Sequence, residues 1–470
     1  MPAVEARSGA AFAGNRRSLM PALGTWTFIV TFSGQGLRNV VGWWAFGVIA
    51  AISGVVLFVV FMREGHRVPL RALPPVASAY TILCMASVIW SHYPRETILA
   101  GLLMAATTAA GILLACGLSL RELTDALSRA LETTLVLSLL LELYVALVLR
   151  HPLIPVYMDD WGDVPPSYIW VEGKILQGGP IQGVVGNRNP LAFIALLTLL
   201  CVAVRWRDHR LRFISLMLWT ALSVATLALT DSATVIVAAA VCGAVMIVLW
   251  LLRHVPVDQR PTVIVAASTA GVALVAFAVG RHSQVAALLG RSPDMTGRWE
   301  IWQKVLDLWE QHTFLGWGWI MYWVPWIPMF STLVIRPDGT PTLSAHNAYI
   351  EALFQTGVVG ASLVVVLAVL LVFRSFRLAV RYLDSDASVL LPALLITAMV
   401  VQSMTESRLL SEGNWVTVCA LIRLACSRRS SHSGSWAAAA SRFCRTDQKV
   451  WSCLDIFSSG FFRNSLALFE

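Results

Sequence analysis

The chain has 470 residues, of which 57% are hydrophobic and only 13% charged, with a mean hydropathy of +0.70. Because a soluble domain carries about 25% charged residues, lipid rather than water must solvate most of this one. The formal charge of +8 does not point to nucleic acid, because the excess sits at the ends: residues 423–470 hold seven Arg or Lys against three acids, and Arg7, Arg16 and Arg17 face only Glu5. Basic termini read instead as cytoplasmic retention signals, and nineteen tryptophans suit rings that prefer headgroup level.

A span needs roughly 20 mostly apolar residues. The basic N-terminus is not followed by a short apolar run and a small-residue cleavage site, so no cleaved signal peptide is expected. Spans are expected at 18–34, 41–62, 72–91, 97–118, 131–149, 182–203, 212–229, 232–252, 262–280, 347–373, 388–405 and 412–426. The first and last are short, so the fold class is an all-α polytopic transmembrane bundle of about 12 spans (10–12), with a long extracytoplasmic loop before the tenth.

The positive-inside rule orients it. With the N-terminus inside, the inner loops 63–71, 119–130, 204–211, 253–261 and 374–387 each carry at least two arginines, and the basic C-terminus is inside as well. The segment 150–181 then lies outside, with Asp159, Asp160, Asp163 and Glu172 against Arg150 and Lys174. The expected organisation is a cytoplasmic tail over 1–17, a membrane domain over 18–426 and a basic, disordered tail over 427–470. Of the eight cysteines, Cys84, Cys116, Cys201 and Cys242 lie in apolar runs and read as small core hydrophobes.

Segment 281–346 is the longest between spans, and loops of such length usually have a task. Within it Trp299, Trp302, Val305, Leu306 and Trp309 recur at helical spacing behind Thr296 as N-cap, which predicts a helix lying along the outer membrane surface. The aromatic run Phe314-Leu-Gly-Trp-Gly-Trp follows, a glycine-punctuated turn against headgroups. Trp302, Trp309, Trp317 and Trp319 read as interface anchors, with sugar stacking as the functional alternative. The chain re-enters the membrane at His346-Asn-Ala-Tyr. A histidine there is wet enough to titrate yet shielded enough to be tuned, the reference pKa of the residue type being about 6.5; alone, it reads first as an interfacial residue capping a span. Glu142 within a span marks a polar pathway or snorkels, Asp231 in a tight turn reads as structural, and Glu406 is ionisable at the outer edge of a span.

Taken in order, Gly186-Asn-Arg-Asn-Pro, Thr296-Gly-Arg-Trp-Glu-Ile-Trp, Phe314-Leu-Gly-Trp-Gly, His346-Asn-Ala-Tyr, Gly357-Val-Val-Gly and Thr405-Glu-Ser resemble the O-antigen ligase and exopolysaccharide polymerase family over about residues 180–410. The resemblance implies glycosyl transfer at the outer membrane surface, from an undecaprenyl-pyrophosphate-linked glycan to the hydroxyl of a sugar or of a lipid-anchored acceptor. Metal, nucleotide and other cofactors are not required. It further implies that Arg298 pairs with the pyrophosphate and that His346 acts on the acceptor as catalytic residues, with Asn347 and Glu406 at the substrate. A guanidinium fork suits phosphate oxygens, a departing pyrophosphate needs its charge neutralised, and a neutral imidazole takes the proton of an attacking hydroxyl. Where the family often carries a second basic residue, this chain reads Thr230-Asp-Ser-Ala-Thr, with Ala233 in that place. Arg188 or Arg291 is expected to supply the missing charge. The competing readings are a polytopic secondary transporter, against which no internal repeat is visible, and a non-catalytic component of an envelope assembly. Membrane lipid is a partner on every reading.

Overall fold

A computed structural model describes residues 18–162, 164–281, 284, 297–384 and 387–424; the expected tails 1–17 and 427–470 lie outside them. The described helices are α1 (Met20–Phe32), α2 (Gly34–Arg63), α3 (Pro75–Ala86), α4 (Pro94–Gly117), α5 (Leu120–Tyr144), α6 (Arg188–Arg207), α7 (Phe213–Thr230), α8 (Ala233–His254), α9 (Arg260–Gly280), α10 (Arg298–Trp309), α11 (Pro328–Leu333), α12 (Ala348–Arg381), α13 (Leu391–Ser403) and α14 (Glu412–Leu424). Among the described residues the only β-pairing is two isolated bridges, Leu153 with Val171 and Ile335 with Pro341.

Each of the twelve expected segments holds a helix. Among the described residues eight stretches are long and apolar enough to cross a membrane: α2, α4, α5 with the π-helical turn that follows it, α6, α7, α8, Val257–Ala278 and α12. The remaining four segments hold shorter helices, so length alone supports eight of the twelve expected spans. Two boundaries move by more than two turns of ~3.6 residues: the tenth span runs on to Arg381 instead of ending at 373, and the fifth starts early. The sequence suggests a loop over 119–130, but α5 already starts at Leu120, because Ser119 and Glu122 form a reciprocal capping box ahead of the apolar run.

Close approach of small residues sets the core, as expected where helices pack without a hydrophobic drive between them. A β-carbon on Gly111 of α4 would lie 2.6 Å from that of Cys419 on α14, and the Trp415 indole donates to Thr108 at 2.7 Å across the same seam. The window of α6 is 72% buried, as befits a helix apolar all round. In contrast α2 beyond its kink at Gly42 and α9 turn apolar side chains outward, the faces a bilayer would cover. Cys84, Cys201 and Cys242 are buried and unpaired, as expected for core residues.

Charged side chains gather at both ends. At one, Arg205 pairs with Glu132 (2.6 Å) and Asp125 (3.2 Å), and Arg210 with Asp125 (2.8 Å). Asp208 there accepts the N–H groups of Ala387 (2.6 Å) and Ser388 (3.0 Å).

At the other end the long segments fold over the helix termini, and a break in α12 holds them. Gly357 leaves the helical region (φ 63°, ψ −169°), which opens backbone groups on both sides of it. The loop after α10 closes that gap: Trp317 and Gly318 donate to the Phe354 and Gln355 carbonyls (3.1 and 3.0 Å), while Val358 and Val359 donate to those of Thr313 and Phe314 (2.9 and 3.3 Å). The aromatic turn is therefore pressed against protein backbone instead of headgroups. Its tryptophans are internal ties: Trp319 is 1% exposed, and Trp302, Trp309 and Trp317 donate to the carbonyls of Ala345, Thr313 and Leu308. On α10 Ile301 and Val305 are buried, with Trp302 and Leu308 half-buried beside them; Trp302 and Val305 lie on the expected stripe, whereas Trp299 is 59% exposed. The helix starts behind Gly297 (φ 81°), without a side-chain cap; Thr296, the expected cap, lies outside the described residues.

Gly357→Val should be severely destabilising, since even a β-carbon there would fall 2.1 Å from the Phe314 carbonyl oxygen at a left-handed φ. A loss of at least about 2 kcal/mol is expected. Thermal unfolding of the purified protein in detergent checks it, with Gly243→Ala, where nothing lies within 4 Å, as the mild control.

Candidate functional site

Segments far apart in sequence meet where α6, α8 and α12 begin, and each arrives by a local device. Asn187 caps α6, its side-chain oxygen accepting the Asn189 N–H at 3.0 Å. Asn347 caps α12 in the same way, accepting from Tyr349 (2.9 Å) and Ile350 (3.1 Å). The Asn347 amide also donates to the Met404 carbonyl (3.0 Å), and its backbone N–H to the Ser407 hydroxyl (3.2 Å), which ties the turn after α13 to the start of α12. His346, one residue before the cap, has φ 49°, a left-handed conformation that costs energy for a side chain other than glycine's. Arg298 is the first residue of α10.

These devices converge on Glu406, which is 6% exposed. Its Oε1 accepts from Asn189 Nδ2 at 2.8 Å and Arg298 Nη2 at 3.1 Å, and its Oε2 lies 3.3 Å from His346 Nδ1. Asn189 in turn accepts from the Ser232 hydroxyl at 2.9 Å, which attaches the start of α8. Burial alone would raise the Glu406 carboxyl. The charge and hydrogen bond of His346, with the charges of Arg298 and Arg408, outweigh it and hold the group at about 2.

A second carboxylate fixes the frame beneath. Glu351, 1% exposed, accepts from the Ala345 N–H (2.8 Å), the Ser407 hydroxyl (2.9 Å), the Trp323 indole (2.7 Å) and the Gln355 amide (2.6 Å). Gln355 receives the N–H groups of Ile320 (2.8 Å) and Met321 (3.1 Å). The stretches on both sides of His346 are thus bonded to one point.

The sequence-predicted residues divide accordingly. Arg298, His346 and Glu406 are joined, and Asn347 holds His346 in place by capping. Arg188 pairs with Asp231, 3.6 Å away, beside the cluster. Arg291 lies outside the described residues. Ala233 is the first residue of α8, and its neighbour Ser232 reaches Asn189. Glu142 is structural: it is 1% exposed and accepts the N–H groups of Gln182 (2.7 Å) and Gly183 (2.9 Å), anchoring the approach to α6.

Sequence reasoning passed over Asn189, Ser232, Arg408, Glu412 and Arg38. Arg38 is 4% exposed, lies 2.7 Å from Glu412 and stands over the Trp43 and Phe46 rings at 4.9 and 5.1 Å. Arg408 lies 3.9 Å from Glu412 and is 33% exposed. A signal was present, since arginine amid so apolar a helix must find a partner. Starting the second span at residue 41 assigned Arg38 to a loop. Among the described residues no group of three or more His, Cys, Asp or Glu is placed to hold a metal ion.

Residues 216–365 match the O-antigen ligase family. The match takes in Ala233, Arg298, His346 and Asn347, so the resemblance carried by the sequence motifs holds for that stretch. Asn189 and Glu406 fall outside it and are joined to it only in space. A multi-pass membrane protein of O-antigen ligase-like glycosyl transfer is the function this match supports. A search of curated proteins found no match to the chain.

Two outcomes are expected. Asn347→Ala should cost about 1 kcal/mol in the loss of the cap, more where the Met404 tie fails with it, as read from thermal unfolding. Because the folded Glu406 carboxyl sits at about 2 and an unfolded glutamate near ~4.3, its stabilisation is complete above the higher value and lost as pH falls toward the lower. Wild type should therefore lose more stability than Glu406→Gln between roughly pH 4.5 and 2.

Proposed function

We propose that the protein moves a glycan from an undecaprenyl-pyrophosphate donor to a sugar hydroxyl at the outer face of the cytoplasmic membrane, as a polymerase or a ligase. The observation that carries this reading is the joining of Arg298 and His346 through Glu406, which places an anion-binding fork and a proton acceptor around one buried carboxylate.

The chemistry follows from those positions. With Nδ1–H donated to Glu406, His346 keeps Nε2 free to accept a proton, the tautomer being set by its partner. The acceptor hydroxyl attacks the anomeric carbon, its proton passes to Nε2, and the bond from that carbon to the pyrophosphate oxygen breaks. The pyrophosphate leaves with the electron pair, and Arg298 neutralises the charge that develops. Arg408, half-buried, is better placed than Arg188 to be the second cation that Ala233 does not provide, because its charge already acts on Glu406 whereas Arg188 faces Asp231. The chain's own residues complete this scheme.

Charge supports the placement. The short arginine-bearing turns around residues 63–71, 204–211 and 253–261 end the helices at the pole away from Glu406, and the positive-inside rule favours that pole and both tails inside, with the long segment 281–346 outside. On this reading the membrane domain spans 18–426 in twelve crossings, with its transferase core over about 180–410 and the tails 1–17 and 427–470 in the cytoplasm.

His346→Ala and Arg298→Ala should each insert normally yet lose at least about 100-fold in glycan transfer, measured with purified lipid-linked donor. Arg408→Ala should fall further than Arg188→Ala. Full activity in either of the first two variants would sink the assignment, and solute counterflow in proteoliposomes would favour a transporter. In a deletion strain, carrier bearing one repeat unit identifies a polymerase, and carrier bearing finished polymer a ligase.

A further inference from the structure

At the pole away from Glu406, α6 and α8 diverge over the start of α13 and leave a recess of about 570 Å³, within the range that holds a small ligand. Its walls are apolar: Val204, Met246, Leu249, Leu383, Leu390 and Leu394. Its mouth is basic, with Arg207 ending α6 and Arg253 and His254 ending α8. The two characters are separated along the bundle axis, since Met246 lies about 10 Å deeper than Arg253 at a helical rise of ~1.5 Å per residue. Trp250, 59% exposed, stands between them at the level where an indole meets headgroups.

We infer that this recess is a binding site for an anionic phospholipid, its phosphate held by Arg207 and Arg253 and the upper part of its acyl chains lying along Met246, Leu249 and Leu394. Charge selects this occupant over a zwitterionic lipid or a free hydrocarbon. Arg253 and Arg260 share the carboxylate of Asp384, which is 3.8 Å from Arg253, 3.6 Å from Arg260 and itself 67% exposed, and Arg207 lines the same mouth. Asp208, next to Arg207, is engaged with the Ala387 and Ser388 N–H groups and with Arg210. His254 turns Nδ1 to the Trp250 carbonyl at 2.8 Å, leaving its other nitrogen for the mouth. A basic pocket between membrane helices backed by apolar walls is what an anionic headgroup and its chains require. The recess adjoins the start of α13, whose far end leads to Glu406.

The test uses the full-length protein, stripped of lipid in detergent. Phosphatidylglycerol should raise its melting temperature and appear as bound lipid by native mass spectrometry, at least about fivefold more than phosphatidylethanolamine. Inorganic phosphate alone should do neither. Arg207→Gln/Arg253→Gln should abolish that preference while melting normally without lipid, and Ala203→Trp, which fills the mouth from the α6 side, should block binding with all charges intact. Equal binding of both lipids, or preference retained in the double variant or in Ala203→Trp, overturns the proposal. A response to inorganic phosphate equal to that of phosphatidylglycerol does so too, since it makes the site one for a free anion. Should Ala203→Trp fail to fold, the double variant and the comparison of lipids decide alone.

Discussion

An ionised carboxylate withdrawn from water costs several kcal/mol unless donors replace its hydration, and Glu406 meets that requirement with groups from three other parts of the chain. Asn189 comes from the first turn of α6, Arg298 from the first residue of α10 and His346 from the approach to α12. Removing any one leaves the carboxylate under-satisfied. The arrangement also explains why the site is composed of helix ends. Near the end of a span, polar side chains can converge without exposing themselves to hydrocarbon, and the backbone N–H groups of helix N-termini favour negative charge there.

For Glu406 to meet its partners, the long segment between α9 and α12 must dock in one register. The break at Gly357 provides it. A continuous α12 would keep its carbonyls and N–H groups to itself, whereas the break offers four of them to residues 313–318. A β-carbon on Gly316 would lie 2.6 Å from the Gln355 carbonyl carbon, so glycine is required on both sides of the contact. Glu351 and Gln355 then clamp the same turns from beneath. Backbone pairing sets the register, and the buried polar pair makes it unique.

Each of the twelve apolar stretches could be read as a helix because twenty residues without charge have few other fates in lipid. His346 and Arg298 could be singled out because their motifs are local. Errors arose where a residue's role depends on a partner elsewhere. Trp319 looks like an interface anchor by composition and is a core residue by packing. On α10 Ile301 is buried and Trp299 exposed because the surface the helix meets is the protein's own aromatic turn. Arg188, the nearest basic residue to the gap at Ala233 by motif, is drawn to Asp231.

By itself the sequence determined the membrane character, the approximate helix limits and two of the side chains that meet at Glu406, since hydropathy, capping and short motifs act over a few residues. Tertiary structure alone decided that Glu406 unites Arg298 with His346, that Asn189 and Ser232 complete its shell, and that Arg38 and Arg408 share Glu412 behind it. These pairs are separated by up to 374 positions along the chain. A buried charge is satisfied by whatever donor the fold brings within hydrogen-bond distance, and local pattern carries no record of that distance.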